Sequence, residues 1–345
     1  MRIEELDYDL PEEAIAQTPL ADRAASRLLW LHRASGVVED RSFRDAVDIL
    51  QPGDLLVLND TRVTAIRLIG EKPTGGKVEL LLLKETAPGE YEALAKPGKR
   101  LQPGTEVSFE GPDSFAGQTL PLRARILANL AEGRKLVRFH PDPNLQKRLR
   151  QIGRVPLPPY ITHEIEDPER YQTVYSQTAG SAAAPTAGLH FTREILDRLR
   201  AKGVETATVS LDVGLDTFRP ITSEEPTLHS IHGETCHLPE DTKRAVEAAM
   251  GRIVAVGTTA VRTLESFAAG PRRLRTGSMQ TRLFITPGYE FQIVDGMFTN
   301  FHLPRTTMLL MIFALAGQDA VRAAYRHAVD SGYRFLSFGD SMLIL

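Results

Sequence analysis

At 345 residues and 38.2 kDa the chain is longer than a typical single core, so two domains are the starting expectation. A composition of 42% hydrophobic and 25% charged residues is that of an ordinary globular protein. The single cysteine, Cys236, excludes an intrachain disulfide and a cysteine-clustered zinc site. A net charge of −3 argues against a general basic coat for nucleic acid, although a local positive surface stays open. The N-terminal stretch is acidic without an apolar signal core, and the apolar run at 308–316 is far below the roughly 18 residues of a membrane span. A soluble, cytoplasmic protein with no membrane partner is expected.

In chain order, residues 28–31 and 37–38 read as strands around Ser35 and Gly36, residues 43–50 as a short helix, and 55–58 as a buried strand. Residues 63–150 change texture. They carry 15 Lys/Arg against 10 Asp/Glu, and about six short strands alternate with Gly/Pro turns, with no convincing helix. That pattern predicts a small β-barrel or sandwich. Beyond residue 150 strands and helices alternate as in α/β layers. Ile195, Leu196 and Leu199 share a helical face between the cap Thr192 and the stop Gly203. A strand over 204–213 follows, and another at 253–256 leads into a helix with Val261, Leu264 and Ala268 inward. Later come a hairpin signal at Asp295 and Gly296, helices near 307–316 and 319–330, and a terminal strand pair around Gly339 and Asp340. The economical fold class is α/β: a main α/β domain built from both chain ends, residues 1–62 and 151–345, with an all-β barrel domain of residues 63–150 inserted.

Polar groups gather where predicted strands hand over to loops, the usual ligand edge of an open α/β sheet. Asn59, Asp60 and Arg62 follow one strand, where an Asx turn is the plainer reading. Residues 180–192 hold small residues, among them Thr186 and Gly188, that let a backbone approach a ligand and deliver His190 before a helix. A satisfied core histidine in a tight loop is the alternative. Arg219 closes the loop at 213–220. His229, His232 and Glu234 form an HxxHxE spacing that departs from the HExxH metal pattern and suits proton transfer better, so no metal is expected. Gly257, Thr258, Thr259 and Arg262 form a strand–turn–helix whose free amides suit a carboxylate or phosphate, with simple capping as the alternative. Asn300 and His302 end a further strand. Phe191, Phe218, Phe301 and Tyr289 lie near these loops, where aromatic residues are more often core than base-stacking platforms.

These loops also form a pattern. PGDLLVLNDTRV at 52–63, GGKVELLLL at 75–83, SAAAPTAGLHFT at 181–192, VGLDTFRP at 213–220, VGTTAVRTLES at 256–266, TNFHLP at 299–304 and YRFLSFGDSMLI at 333–344 run in order along nearly the whole chain. Together they resemble the S-adenosylmethionine:tRNA ribosyltransferase-isomerases of queuosine biosynthesis. The chain departs from the family pattern at Asp212, Asp216 and Gly233, where a His, a Gly and a Ser are usual. The resemblance implies an α/β catalytic domain with an inserted barrel. It also implies transfer of the ribosyl part of S-adenosylmethionine to 7-aminomethyl-7-deazaguanine at the tRNA wobble position, giving epoxyqueuosine with release of adenine and methionine. S-adenosylmethionine is then a consumed cosubstrate, and no cofactor is expected.

Given that chemistry, a proton on C5′ beside the sulfonium needs a positioned base, for which His190 and His232 are candidates. Adenine leaves well only when protonated, so an acid is also required, with Asp60, Glu234 and Asp340 as candidates. Arg219, Arg262 and the amides of Thr258 and Thr259 suit the methionyl carboxylate. Lys96, Lys99, Arg100, Arg123 and Arg125 of the basic insert are candidates for gripping the anticodon stem-loop, against the plainer reading of a solvated face. A monomer is expected. Two other readings stay open: a noncatalytic tRNA-binding protein, and a small-molecule transferase using S-adenosylmethionine.

Overall fold

The computed structural model describes residues 1–110, 121–214, 221, 223–229, 231 and 233–345. It separates into two compact units, residues 1–62, 158–178 and 184–345 in one and residues 63–157 with 179–183 in the other. The second unit therefore runs seven residues past the expected boundary at 150 and takes a short later segment as well.

The chain opens with hairpin strands β1 (Arg27–Leu31) and β2 (Val38–Ser42), a short helical turn, and the fully buried strand β3 (Leu55–Asn59). It then forms the second unit. Strands β4 (Ile66–Glu71), β5 (Lys77–Ala87), β6 (Glu90–Lys96), β7 (Glu106–Phe109), β8 (Leu122–Asn129) and β9 (Lys135–Phe139) close a barrel in the order β9-β6-β5-β4-β7-β8. Alternation makes this possible: along β8 Leu122, Ala124 and Ile126 are buried, while Arg123 and Arg125 are exposed. A helix absent from the sequence reading, α1 (Leu145–Ile152), covers the barrel and sends Leu149 into its core. Leu145, Leu149 and Ile152 fall at helical spacing on the face toward the barrel core, a period that the sequence reading passes over among the surrounding strands.

The first unit resumes with α2 (Arg193–Lys202), whose cap Thr192 accepts from the Ile195 amide at 3.2 Å and whose stop Gly203 sits at φ +91°. There follow β10 (Glu205–Leu211), β11 (Glu234–Leu238), α3 (Glu240–Ala248), β12 (Ile253–Val256), α4 (Thr258–Ser266), β13 (Gly277–Thr281), β14 (Gly296–Asn300), α5 (Thr307–Ala316), α6 (Gln318–Asp330) and β15 (Ser341–Ile344). Nine strands form one sheet, β13-β11-β10-β3-β12-β14-β15-β1-β2. Its centre is parallel: β10 pairs with β3, β3 with β12, and β12 with β14. The C-terminal ends of these four strands therefore share one edge, which brings Leu211, Asn59, Val256 and Asn300 together from distant parts of the chain.

Helix α5 buries Leu309, Leu310, Met311, Ile312, Phe313 and Leu315, at about 1.5–3 kcal/mol per side chain as an upper bound. Neither the hairpin expected at Asp295 and Gly296 nor a terminal strand pair forms. β14 runs parallel to β12, and the Asp295 carboxylate accepts from the Ile253 amide at 2.8 Å, tying the two strand starts together. The segment before β15 is a loop, and β15 pairs with β1 and β14 instead. Helix α4 ends at Ser266, so Ala268 lies beyond it. Among the described residues no single helix is long and apolar enough to cross a membrane.

Candidate active site

A cleft of about 580 Å³, counting its open mouth, lies at the C-terminal edge of the parallel strands. Three segments supply its polar wall: Thr186 in the turn after Pro185, Gly257 to Thr259 at the start of α4, and Thr299 to His302 at the end of β14. Gly257 sits at φ +88°, a conformation only glycine adopts cheaply, and this lets β12 turn sharply into α4. The first-turn amides of α4 lack intrahelical acceptors, so Thr258 and Thr259 present donors at the positive end of a helix. Asn59 lies beneath them, fully buried. Its amide group donates to Thr259 Oγ1 at 3.1 Å and to Leu211 O at 3.2 Å, and its Oδ1 accepts from the Leu211 amide at 3.1 Å. It thus fastens β3, β10 and α4 together and does not face the cleft.

His190 lies behind this wall. Its Nδ1 is 2.8 Å from Ser26 Oγ and its Nε2 is 3.1 Å from Asn300 Nδ2. An amide nitrogen only donates, so Nε2 accepts and Nδ1 carries the proton. Both ring nitrogens are spent, and no lone pair is left for a substrate. Burial, aided by the charges of Arg23 and Arg334, pushes its pKa down to about 3. Asn300 passes the constraint on: it accepts from Thr186 Oγ1 at 2.9 Å and donates to Leu336 O at 3.2 Å. The base role expected of His190 thus meets a strut.

His302 is different. It lines the cleft, and its Nε2 is 2.7 Å from Thr299 Oγ1. The Thr299 hydroxyl also reaches Asn300 O at 3.3 Å; with its proton directed there, Thr299 accepts from Nε2–H and the lone pair sits on Nδ1. Among the described residues Nδ1 has no protein partner. Burial pushes the pKa of this imidazole down to about 3 as well, so the ring is neutral near pH 7. The backbone of His302 is pinned from both sides, its carbonyl accepting from Tyr8 Oη and its amide donating to Tyr325 Oη at 3.1 Å.

The expected acids are elsewhere. Asp60 is buried and accepts from Ser210 Oγ at 2.6 Å, outside the cleft lining. Asp340 clamps a loop, its two oxygens accepting from the Arg27 and Arg334 amides at 2.8 Å each; burial raises its pKa against those two bonds. Glu234 accepts from the Gly214 amide at 2.9 Å and is ion-paired with Arg262 in the interior. Arg262 also donates to Leu283 O at 3.0 Å and Thr281 O at 3.3 Å, so its fork is committed within the protein and not aimed at a substrate carboxylate. The pair borders a smaller cavity that shares Thr258, Thr259 and Met308 with the main cleft.

Arg62 is held by Ser176 Oγ at 3.1 Å and by Glu169. Gly188 is not kept small for a ligand. A Cβ there would lie 2.0 Å from Tyr175 Oη, so the ring of Tyr175 takes the space. Arg219, His232 and Asp216 lie outside the described residues. A Cβ at Gly233 would fall 2.7 Å from Cδ of the exposed Gln280 side chain, which can move aside, so the structure gives no reason for the glycine. Among the described residues no three His, Cys, Asp or Glu side chains gather as a metal site requires. On the barrel, Lys96, Lys99, Arg100, Arg123 and Arg125 are all exposed, and Arg125 is 3.7 Å from Glu106. Phe191 and Phe301 are core residues.

Sequence reasoning misses four parts of the lining, Tyr160, Met308, Leu336 and Ser337. Tyr160 Oη and Ser337 Oγ are 2.6 Å apart. Leu336 adopts φ +69°, a strain of about 1–2 kcal/mol for a side-chain-bearing residue, with its amide on Phe301 O and its carbonyl on Asn300. A branched residue in that conformation leaves no mark in sequence.

The Queuosine biosynthesis protein family matches residues 3–344 of the chain. Three curated relatives, all named S-adenosylmethionine:tRNA ribosyltransferase-isomerase, match over 100% of both chains: 49% identity with that of Symbiobacterium thermophilum, 47% with that of Desulfitobacterium hafniense and 45% with that of Clostridioides difficile. A crystal structure of S-adenosylmethionine tRNA ribosyltransferase from Thermotoga maritima superposes with a TM-score of 0.56 at 37% identity, covering 99% of this chain and 100% of that one.

Proposed function

The chain belongs to the Queuosine biosynthesis protein family, and from that premise we propose that it is an S-adenosylmethionine:tRNA ribosyltransferase-isomerase. It moves and isomerises the ribosyl part of S-adenosylmethionine onto 7-aminomethyl-7-deazaguanine at the tRNA wobble position. The products are epoxyqueuosine-tRNA, adenine and methionine. One donor cation and one amine give the modified base, two neutral leaving molecules and one proton. The observation that carries this reading is full-length identity near one half with relatives of that name, joined to a cleft that offers a helix start and one open imidazole.

The residues divide the work as follows. The amides of Thr258 and Thr259 hold the methionyl carboxylate at the positive end of α4. Nδ1 of His302 takes the C5′ proton, which the adjacent sulfonium acidifies. The hydroxyl pair of Tyr160 and Ser337 offers donors to the departing adenine ring. His190 and Asn59 are positioning residues, the first through Asn300 and the second through Thr259. The exposed basic residues of the barrel, Lys96, Lys99, Arg100, Arg123 and Arg125, grip the anticodon stem-loop of a tRNA bound by a monomer. S-adenosylmethionine is consumed as cosubstrate, without a resident cofactor.

Incubation with S-adenosylmethionine and tRNA carrying the modified base tests the reading. Stoichiometric adenine and methionine are expected. Stem-loop binding without adenine marks a noncatalytic RNA-binding protein, and S-adenosylhomocysteine marks a methyl transferase; either result overturns it.

A further inference from the structure

Behind the His190 strut lies a shallower notch of about 290 Å³, counting its open mouth, lined among others by Arg23, Ser26, Arg170, His190 and Ser337. Ser337 is common to this notch and to the main cleft, so the two are neighbours across one wall. The notch is cationic in an unusual way. Arg23 donates to Leu189 O at 3.1 Å and Glu169 O at 2.8 Å, Arg170 donates to Leu20 O, and Arg334 nearby donates to Thr18 O. All four acceptors are backbone carbonyls. Among the described residues none of the three guanidinium groups makes an ion pair with a carboxylate, and Arg334 Nη1 is buried with no partner at all.

The nearest acids are engaged elsewhere. Glu169 pairs with Arg62, and Asp340 spends its oxygens on two backbone amides. Asp167 and Glu169 both act on Arg23 only at a distance, the Asp167 carboxylate capping the Glu169 amide at 2.9 Å. The strain of this arrangement is visible in Arg23, whose pKa is lowered to about 10, first by burial and then by the charge of Arg170. Half-buried cations facing a concave surface without a directly paired carboxylate are stabilised by an anion, and forked guanidinium donors suit the non-bridging oxygens of a phosphate.

Resting on the function proposed above, we propose that this notch holds a backbone phosphodiester of the RNA substrate beside the nucleotide whose base enters the cleft. The donor's own carboxylate already has the start of α4, which leaves the phosphate of the acceptor strand as the anion within reach of Ser337. The phosphate contact positions the strand and carries no sequence information, consistent with a site made of arginines and backbone. It lies wholly on the α/β unit.

The test measures binding of an anticodon stem-loop by fluorescence anisotropy across a salt series, with S-adenosylmethionine binding followed in parallel by calorimetry. For R170A, weaker stem-loop binding is expected, with the slope of log Kd against log salt reduced by about 1 and S-adenosylmethionine binding unchanged. R170K is expected to keep the slope. A stem-loop with a neutral methylphosphonate on either side of the target nucleotide provides an arm that needs no variant. It is expected to bind the wild-type protein more weakly and to lose nothing further with R170A. Wild-type affinity for both methylphosphonate RNAs overturns the inference, as does R170A that weakens S-adenosylmethionine binding instead. If the wild-type protein neither binds the stem-loop nor releases adenine, the proposed function itself fails. If it does both while Arg170 and the methylphosphonates change nothing, only the notch is refuted.

Discussion

The two histidines on either side of the cleft wall are alike by every bulk measure and opposite in use. His190 and His302 are both buried, both follow a strand or turn at the same sheet edge, and burial lowers the pKa of each to about 3. Yet the 184–190 wall has each polar group answered by another protein group, Ser26 to His190 to Asn300 to Thr186. In the 299–303 wall one imidazole nitrogen is left over. Depressed basicity therefore does not separate a base from a strut; the unspent lone pair does.

The sharpest way to break this comparison is at His302. Removing a positioned base costs about 10²–10⁴ in rate, so H302A and H302Q are expected to lose that much of single-turnover adenine release. S-adenosylmethionine binding, measured by calorimetry, should stay near wild type. The neighbouring cavity gives a second contrast. Arg262 and Glu234 form an interior ion pair, and deleting one partner strands a buried charge, so R262A is expected to cost about 3–5 kcal/mol in denaturant unfolding. R262M/E234L, which removes both charges, should recover much of that loss.

The fold was legible where its causes are local. Thr192 and Gly203 frame α2, and the alternation along β8 announces the barrel, because caps and two-residue periods are written in neighbouring residues. The motifs after β3, β12 and β14 were legible as one edge because parallel strands expose their C-terminal ends together. What could not be read is direction. Which nitrogens of His190 and His302 stay open depends on Ser26 and Asn300 arriving from other elements to fill the first ring, and Arg262 looks free until Glu234, 28 residues earlier in the chain, closes on it. Gly188 misled for the same reason, since the group approaching it is Tyr175 and not a ligand.

Gly188 gives a smaller effect that sharpens the contrast on the locked side. G188A forces a methyl against Tyr175 Oη and is expected to lose about 1–3 kcal/mol of stability, part of which G188A/Y175F should restore. Acid gives the gentlest probe. Both histidines have folded-state pKa values below the ordinary 6.5, so the unfolded chain binds more protons between about pH 6.5 and 3. Their contribution to stability is complete above pH 6.5 and is lost as pH falls through that window. In urea melts from pH 7 to 4, H190N and H302Q are each expected to flatten the decline.

The central claim, that the open nitrogen of His302 and not the locked ring of His190 removes the C5′ proton, is tested most directly with S-adenosylmethionine deuterated at C5′. Loss of deuterium to water during a single turnover on modified tRNA should persist within about tenfold of wild type in H190N and fall by about 10²–10⁴ in H302Q. Wild-type washout in H302Q, or its abolition in a folded H190N alone, would contradict the account.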